Sequence, residues 1–387
     1  MNFLKRLFSK EARVPRVNIK QRFELIGRVG QGSMSKVWRA RDYNSGKTVS
    51  LKILDKVKTQ ELEARFVGLD KPKEGEIAVQ FNHPHIVKTY EHGLTADQEQ
   101  FLVMEFIEGY SLSFLVEAQN EDMKTNCLKY MIQLGEAIQY FHDEGWIHRD
   151  ICPRNIMVSN DHELKLIDFG LVVPNTPPFL QPGNRTGTAA YMAPELIKRQ
   201  KTSQKIDIFS YAVTCYEMLT KRLPWKAAET MEAVLQHINS PPEHIQNLLP
   251  DLDPRIADAI MKGLELYPQD RWQTINEMLD PFKQAYKEQQ RSAPAKTPVP
   301  HQETVESAHR KQQPDPAQPR RSEQARPRLR KKKQPGSSRR STESKSESTE
   351  AGQAPAKKSP NASRKPERPT QKKPAPRSKP DKKDESH

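Results

Sequence analysis

The chain has 387 residues, more than twice the usual ~150 of one domain. Hydrophobic residues make up 35% and aromatics 7%, with 31 prolines, which is too polar for a chain that buries a core along its whole length. The net charge of +14 lies in residues 289–387, which hold 26 Lys/Arg against 11 Asp/Glu; residues 1–288 hold 37 against 38, which excludes reading the foldable part as a basic nucleic-acid-binding domain.

The first residues, MNFLKRLFSK, set Phe3, Leu4, Leu7 and Phe8 among Lys5, Arg6 and Lys10. One or two turns of basic amphipathic helix there would touch an anionic membrane; packing on the following lobe, or fraying, accounts for the same pattern. No small-residue cleavage site follows, which argues against secretion. From Phe23, the segments FELIGRVGQG, SKVWRARD and KTVSLKILDK read as short strands parted by turn formers such as Asn44-Ser45-Gly46. A helix-like stretch over 73–81 interrupts them before HIVKTYEHG and QFLVMEF resume the strand pattern.

After Gly109 the period changes. Leu128, Met131, Ile132, Leu134, Ile138 and Phe141 recur at helical spacing, and 206–219 is apolar nearly all round, as a buried central helix would be. A β-rich lobe at about 23–108 followed by an α-rich lobe at about 109–288 is an α+β two-lobe layout, which places its ligand in the crevice between lobes. Residues 1–22 form a basic leading segment. Residues 289–387 contain no Phe, Trp, Tyr or Ile and 15 of the prolines, so this tail cannot bury a core and reads as disordered. Cys127, Cys152 and Cys215 are odd in number and far apart, which supports neither a disulfide framework nor a zinc site and suits a reducing cytoplasm. No run of 18 apolar residues exists to span a membrane.

Gly30-Gln31-Gly32-Ser33-Met34-Ser35-Lys36-Val37 lies between two strands, where small residues let backbone N–H groups approach a polyphosphate. A plain turn would look similar, and Lys52 in the next strand reads alone as an ordinary exposed lysine. The ordered set downstream changes the reading: His148-Arg149-Asp150, Asn155 five residues after the Asp, Asp168-Phe169-Gly170, then Ala193-Pro194-Glu195. This set resembles the protein-kinase domain, over about residues 23–283, and within it the bacterial eukaryotic-like serine/threonine type.

The resemblance implies a two-lobe fold and transfer of the γ-phosphoryl group of ATP to protein hydroxyls, with Mg²⁺ as cofactor. Lys52 would hold the α- and β-phosphates under a loop of Val29, Gly30, Gln31, Gly32, Ser33, Ser35 and Val37. Glu74, nine residues before His83-Pro84, would pair with Lys52, whereas Glu76 points to another helix face. Backbone groups at Glu105 and Ile107 would bond adenine and Met104 would guard the inner pocket, although an edge strand entering a loop has the same appearance. Asp168 and Asn155 would ligate Mg²⁺, and Asp150 would accept the hydroxyl proton. Glu195 with Arg271, and Asp207, would be supports; His148 and Phe169 would pack between the lobes; Trp225 and Trp272 would be core or surface aromatics.

Gly187-Thr188 is similar to the Ser/Thr-specific members. Cys152, however, stands where these usually carry Lys, and Arg154 would supply the missing charge. Arg149 is the feature of members whose activation segment is ordered by a phosphate, yet Asn184 occupies the usual phosphosite, leaving Thr186 and Thr176, or no phosphate at all. Ser35 and Cys152 also suggest an alternative, a catalytically weak nucleotide-binding scaffold. The tail is either solvated or a tether to anionic surfaces or nucleic acid; without aromatics its nucleic-acid binding would be sequence-blind.

Overall fold

A computed structural model describes residues 16–31, 34–183, 185–225 and 240–292, except for the Gln31 side chain. The expectations placed on residues 1–15, the Gln31 side chain, Gly32, Ser33, Asn184 and residues 293–387 lie outside the described residues.

Strand β1 (Arg16–Val17) and the short helix α1 (Ile19–Arg22) lead into β2 (Phe23–Gln31), β3 (Ser35–Asp42) and β4 (Thr48–Leu54). The turn between β3 and β4 closes on Asp42, whose carboxylate accepts Asn44 N–H at 3.2 Å and Ser45 Oγ–H at 2.9 Å, with Gly46 at φ +69°. Strands β5 (Thr89–Thr95) and β6 (Gln100–Glu105) complete a six-stranded sheet in the order β1-β5-β6-β4-β3-β2. Neighbours run antiparallel except β1, which is parallel to β5. Phe23, Ala40, Val49, Leu51, Phe101 and Val103 form one small core, on which Val17 and Ile19 pack. Residues 16–22 thus pack on the sheet ahead of Phe23, and the Arg22 fork fastens them with two 2.7 Å bonds to Glu91.

The helix expected over 73–81 is shorter. After α2 (Lys56–Glu63), which the sequence pattern did not reveal, α3 covers only Glu74–Ala78. Pro72 stands ahead of it, and Glu76 accepts Lys73 N–H at 2.9 Å to fix its start. Beyond its end, Phe81 leaves helical register to wedge among Phe141, Trp146 and Phe169, with ring centroids 4.3–6.3 Å away.

The large lobe comprises β7 (Gly109–Ser111), α4 (Leu112–Ala118), α5 (Glu121–Asp143), β8 (Trp146–Ile147), β9 (Ile156–Ser159), β10 (Leu164–Leu166), β11 (Val173–Pro174), α6 (Pro194–Ile197), α7 (Lys205–Thr220), α8 (Pro254–Gly263) and α9 (Ile275–Ser292). Helix α7 is buried along most of its length, as its continuous apolar run requires, and α9 continues past residue 288. No helix among the described residues is long and apolar enough to cross a membrane.

Arg271 and Glu195 tie α6 to the C-terminal helices through two 2.8 Å bonds, with both side chains almost wholly buried. The remaining guanidinium N–H groups donate to the carbonyls of Glu265, Lys205 and Leu266. Removing one member of such a pair strands a buried charge, so Arg271→Ala should cost about 3–5 kcal/mol. Arg271→Lys should not restore it, because an ammonium lacks the planar fork. Urea denaturation of the two variants checks this; a loss below ~1 kcal/mol in Arg271→Ala would contradict the buried-pair account. Trp225 and Trp272 are held by packing: Trp225 stacks on Phe209 at 5.8 Å and Trp272 donates to Ala259 O at 2.9 Å.

Candidate active site

A cleft of about 1480 Å³ opens between the lobes. Its small-lobe side carries Val29, Gly30, Ser35, Val37, Lys52 and Glu74, and its large-lobe side carries Asp150, Arg154, Asn155 and Asp168. Met104, Glu105 and Ile107 lie on the connection between the lobes.

Lys52 comes from the middle of β4 and is nearly fully buried, unlike the exposed strand lysine it resembled in isolation. Its Nζ donates to Glu74 Oε1 at 2.6 Å and to Asp168 Oδ1 at 2.9 Å. Burial pulls this ammonium down, but Asp168 and Glu74 outweigh it and hold Lys52 above its ordinary value. Burial pushes Glu74 up, with Lys52 offsetting it only in part. Asp168 is also pushed up by burial, yet Lys52 and Gly170 N–H overcome this and keep the carboxyl below the usual range. Glu76 faces away and serves as the cap of α3, as its helical position implied.

Asp150 lies in the loop between β8 and β9. Asn155 Nδ2 donates to its carboxylate at 2.7 Å and to its backbone carbonyl at 2.8 Å. Thr188 N–H donates to the other carboxylate oxygen at 2.7 Å. This approach is possible because Gly187, at φ +128°, passes over the loop where a Cβ would stand 2.7 Å from Arg149 O. Asp207 on α7 holds the loop from below. Its buried carboxylate accepts His148 N–H at 2.7 Å, Arg149 N–H at 2.8 Å and a bond with His142 Nε2 at 3.0 Å, which supports Arg149 in the left-handed region at φ +71°. His148 and Phe169 stack edge-on in the apolar column with Phe81 and Phe141.

Cys152 is buried, and burial pushes its thiol up to about 11, so it carries no charge at neutral pH. Its Sγ lies 3.7 Å from Thr188 Oγ1, which also accepts from Arg154 Nη2 at 3.3 Å. At the connection between lobes, Glu105 N–H donates to Lys88 O at 2.9 Å. The Glu105 N–H is therefore already engaged. The Glu105 side chain bonds Lys165 Nζ at 2.7 Å and Lys88 N–H at 2.8 Å.

Two contributors escaped sequence reasoning. One is the backbone N–H of Thr188, which no side-chain motif reports. The other is Lys71, half-buried ahead of α3, whose Nζ reaches Gly170 O at 3.5 Å and which burial holds below its ordinary value; its loop has no periodicity to single it out. Of the two threonine phosphosite candidates, Thr186 is buried and Thr176 is half-buried.

The donor set suits a hard cation carrying most of its other ligands from phosphate and water. Lys52 and Gly170 N–H hold Asp168 below the usual carboxylate range, and its side chain borders the cleft. Asn155 spends Nδ2 on Asp150, and its Oδ1 makes no hydrogen bond among the described residues. Two such oxygens match the way Mg²⁺ binds beside a polyphosphate, whereas no cluster of three His, Cys, Asp or Glu able to hold a metal occurs among the described residues.

Residues 23–283 match the family model for the protein kinase domain. Similar proteins include a probable serine/threonine-protein kinase of Clostridium perfringens, 30% identical over 273 residues that cover 69% of this chain and 38% of that protein. Another, of Streptomyces coelicolor, is 29% identical over 265 residues, covering 66% and 39%. A serine/threonine-protein kinase of Schizosaccharomyces pombe is 32% identical over 260 residues, covering 64% and 55%. The chain thus spans about two fifths of the length of the bacterial relatives. A family match over about two thirds of the chain, with the motif residues gathered at a single cleft, establishes that this chain belongs to the protein kinase family.

Proposed function

We propose that the chain is a serine/threonine protein kinase that transfers the γ-phosphoryl group of ATP to protein hydroxyls with Mg²⁺. The observation that carries this reading is the double attachment of Lys52 to Glu74 and Asp168 on one side of the cleft, facing an Asp150 held by Asn155 and Thr188 on the other. Lys52 is fixed and charged, ready to hold the α- and β-phosphates beneath Val29, Gly30, Ser35 and Val37. The Glu105 carbonyl and the Ile107 backbone would receive adenine. Mg²⁺, held by Asp168 and Asn155, would neutralise phosphate charge as it builds up in transfer. Asp150 is positioned to take the hydroxyl proton as the acceptor oxygen bonds to phosphorus. Gly187-Thr188 beside Asp150 favours Ser/Thr acceptors. The scaffold alternative is disfavoured because Lys52, Asp150, Asn155 and Asp168 are all retained in bonded positions.

The test is phosphate transfer from labelled ATP by the full chain, to itself and to generic proteins, followed by mapping of the modified residues. Phosphoserine and phosphothreonine are expected; no transfer to any protein would overturn the reading.

The tail belongs to the same proposal. Its excess of Lys/Arg across residues 293–387 would tether the kinase to polyanions without entering the chemistry. Deleting residues 293–387 should leave peptide phosphorylation unchanged and remove salt-sensitive retention on anionic vesicles or nucleic acid. Equal retention without the tail would instead assign anion binding to the remainder, including the leading segment with Phe3, Leu4, Leu7 and Phe8.

A further inference from the structure

The loop between α2 and α3, residues 64–73, reaches from the small lobe to the segment that follows Asp168. It carries Phe66, almost wholly buried, and Lys71. The Phe66 ring meets Phe179, on the turn Pro177–Leu180, with 6.2 Å between centroids and 39° between planes. Lys71 Nζ lies 5.6 Å from the centre of the same Phe66 ring and 3.5 Å from Gly170 O. The segment touched at Gly170 and Phe179 is itself fastened to the large lobe. Val173 and Pro174 pair with β8, Asn175 N–H donates to Gly145 O at 2.8 Å, and Thr202 N–H donates to Leu180 O at 2.9 Å. A contact with this segment is therefore a contact between the lobes.

Helix α3 needs such a contact. At five residues it is too short to hold its own first turn in place. Its back is fixed by Gly75, which lies so close to β5 that a Cβ there would stand 2.4 Å from His92 Cβ. Its cleft end is Glu74, three residues after Lys71. Gly170 stands between the two carboxylates that share Lys52: a Cβ on it would be 3.4 Å from Glu74 Oε2 and 3.4 Å from Asp168 Oδ1. Holding Gly170 and Phe179 against the loop thus fixes where Glu74 sits relative to Asp168.

We propose that Phe66, Lys71 and Phe179 are positioning residues for phosphoryl transfer, a clasp between the lobes that keeps Glu74 within reach of Lys52. This inference rests on the kinase reading and adds what keeps its site assembled. The clasp is an aromatic contact and a lysine, so it needs no phosphate on the segment. Thr186, one of the two threonines at which a phosphate could order that segment, is itself buried.

The experiment measures kcat and the KM for ATP of the full chain on a Ser peptide, before and after phosphatase treatment. Phe179 is half-buried, so Phe179→Ala opens the clasp with less damage to the core than a change at Phe66, and Phe179→Leu serves at the assay temperature where the alanine variant melts. Phe179→Ala should lower kcat about tenfold, the scale of one aromatic contact with its apolar area, and Phe179→Leu by less. Lys71→Met should lose rate that Lys71→Arg keeps. The decisive readout is the Glu74→Gln background: a clasp that works through Glu74 makes Phe179→Ala cost little more there, whereas a merely structural contact costs its full factor again. Full kcat in both Phe179 variants, or the full loss on top of Glu74→Gln, overturns the clasp and leaves the kinase reading standing. Wild-type transfer that disappears on phosphatase treatment would give the ordering of the segment to a phosphate and also overturn it. Absence of all transfer by untreated wild type would bring down the kinase reading and this inference with it.

Discussion

Replacing Asp150 by Asn should reduce phosphoryl transfer by at least 10²- to 10³-fold while the protein stays folded. The physical basis is the position of the carboxylate, which Thr188 N–H and Asn155 Nδ2 hold from opposite oxygens at 2.7 Å each. An amide in its place keeps the shape but cannot accept the acceptor proton, and one of its two positions presents a second donor to Thr188 or Asn155. Loss of a positioned group in a dry site costs ~3 to 4 kcal/mol, which gives that range. Lys52→Met should lose as much by a different route. It removes the cation shared by Glu74 and Asp168, so two carboxylates then face each other where burial already pushes Glu74 up. The two variants should separate in nucleotide binding: Asp150→Asn binds ATP nearly as wild type does, and Lys52→Met binds it more weakly. Labelled-ATP turnover with a Ser peptide, alongside ATP titration, measures both. Full turnover by purified Asp150→Asn would falsify the assignment of the base.

How much of this site could be read from sequence follows from what kind of signal each residue carries. Lys52, Asp150, Asn155 and Asp168 stand in short motifs at fixed offsets, and the fold brings all four to one cleft. The strands were visible because short runs rich in Val, Ile and aromatics are parted by turn formers, and α7 because it is apolar nearly all round. Helix α2 was invisible for the opposite reason: Lys56–Glu63 is largely polar, and it is set by the Asp55 cap, which accepts Lys58 N–H at 3.0 Å. The length of α3 was overestimated because Phe81 fits a helical period while its ring is claimed by Phe141 and Phe169. Gly187-Thr188 stood out only by its likeness to Ser/Thr-specific members, and the contact Asp150 takes is the backbone N–H of Thr188, a donor every residue except proline possesses and no side-chain pattern can announce. Lys71 is placed by tertiary packing alone.

The loss of a cation at Cys152 should be made good by Arg154, and three variants test it. A thiol pushed up to about 11 by burial is neutral at pH 7, so it cannot attract a transferring phosphate. Arg154 is two residues away in the same turn, its side chain is exposed, and its Nη2 rests 3.3 Å from the same Thr188 Oγ1 that Cys152 Sγ meets at 3.7 Å. Both side chains therefore converge on one point beside Asp150, and only one of them can bring charge there. The guanidinium needs only to exchange Thr188 for a phosphate oxygen, which its fork of donors suits. A hydrogen bond to a charged group contributes ~1.5 to 3 kcal/mol, so Arg154→Ala should lower kcat on a Ser peptide by roughly 10- to 10²-fold. Adding Cys152→Lys to that variant should recover most of the loss, because the new ammonium starts from the same side of Thr188. Cys152→Lys alone should change kcat little, since the charge it adds is already supplied. Rescue also separates chemistry from packing: a merely structural role of Arg154 at Thr188 would not be restored by a lysine at another position. Full kcat in Arg154→Ala would mean that Thr188 keeps the guanidinium throughout, and that Lys52 with Mg²⁺ carries the phosphate charge unaided.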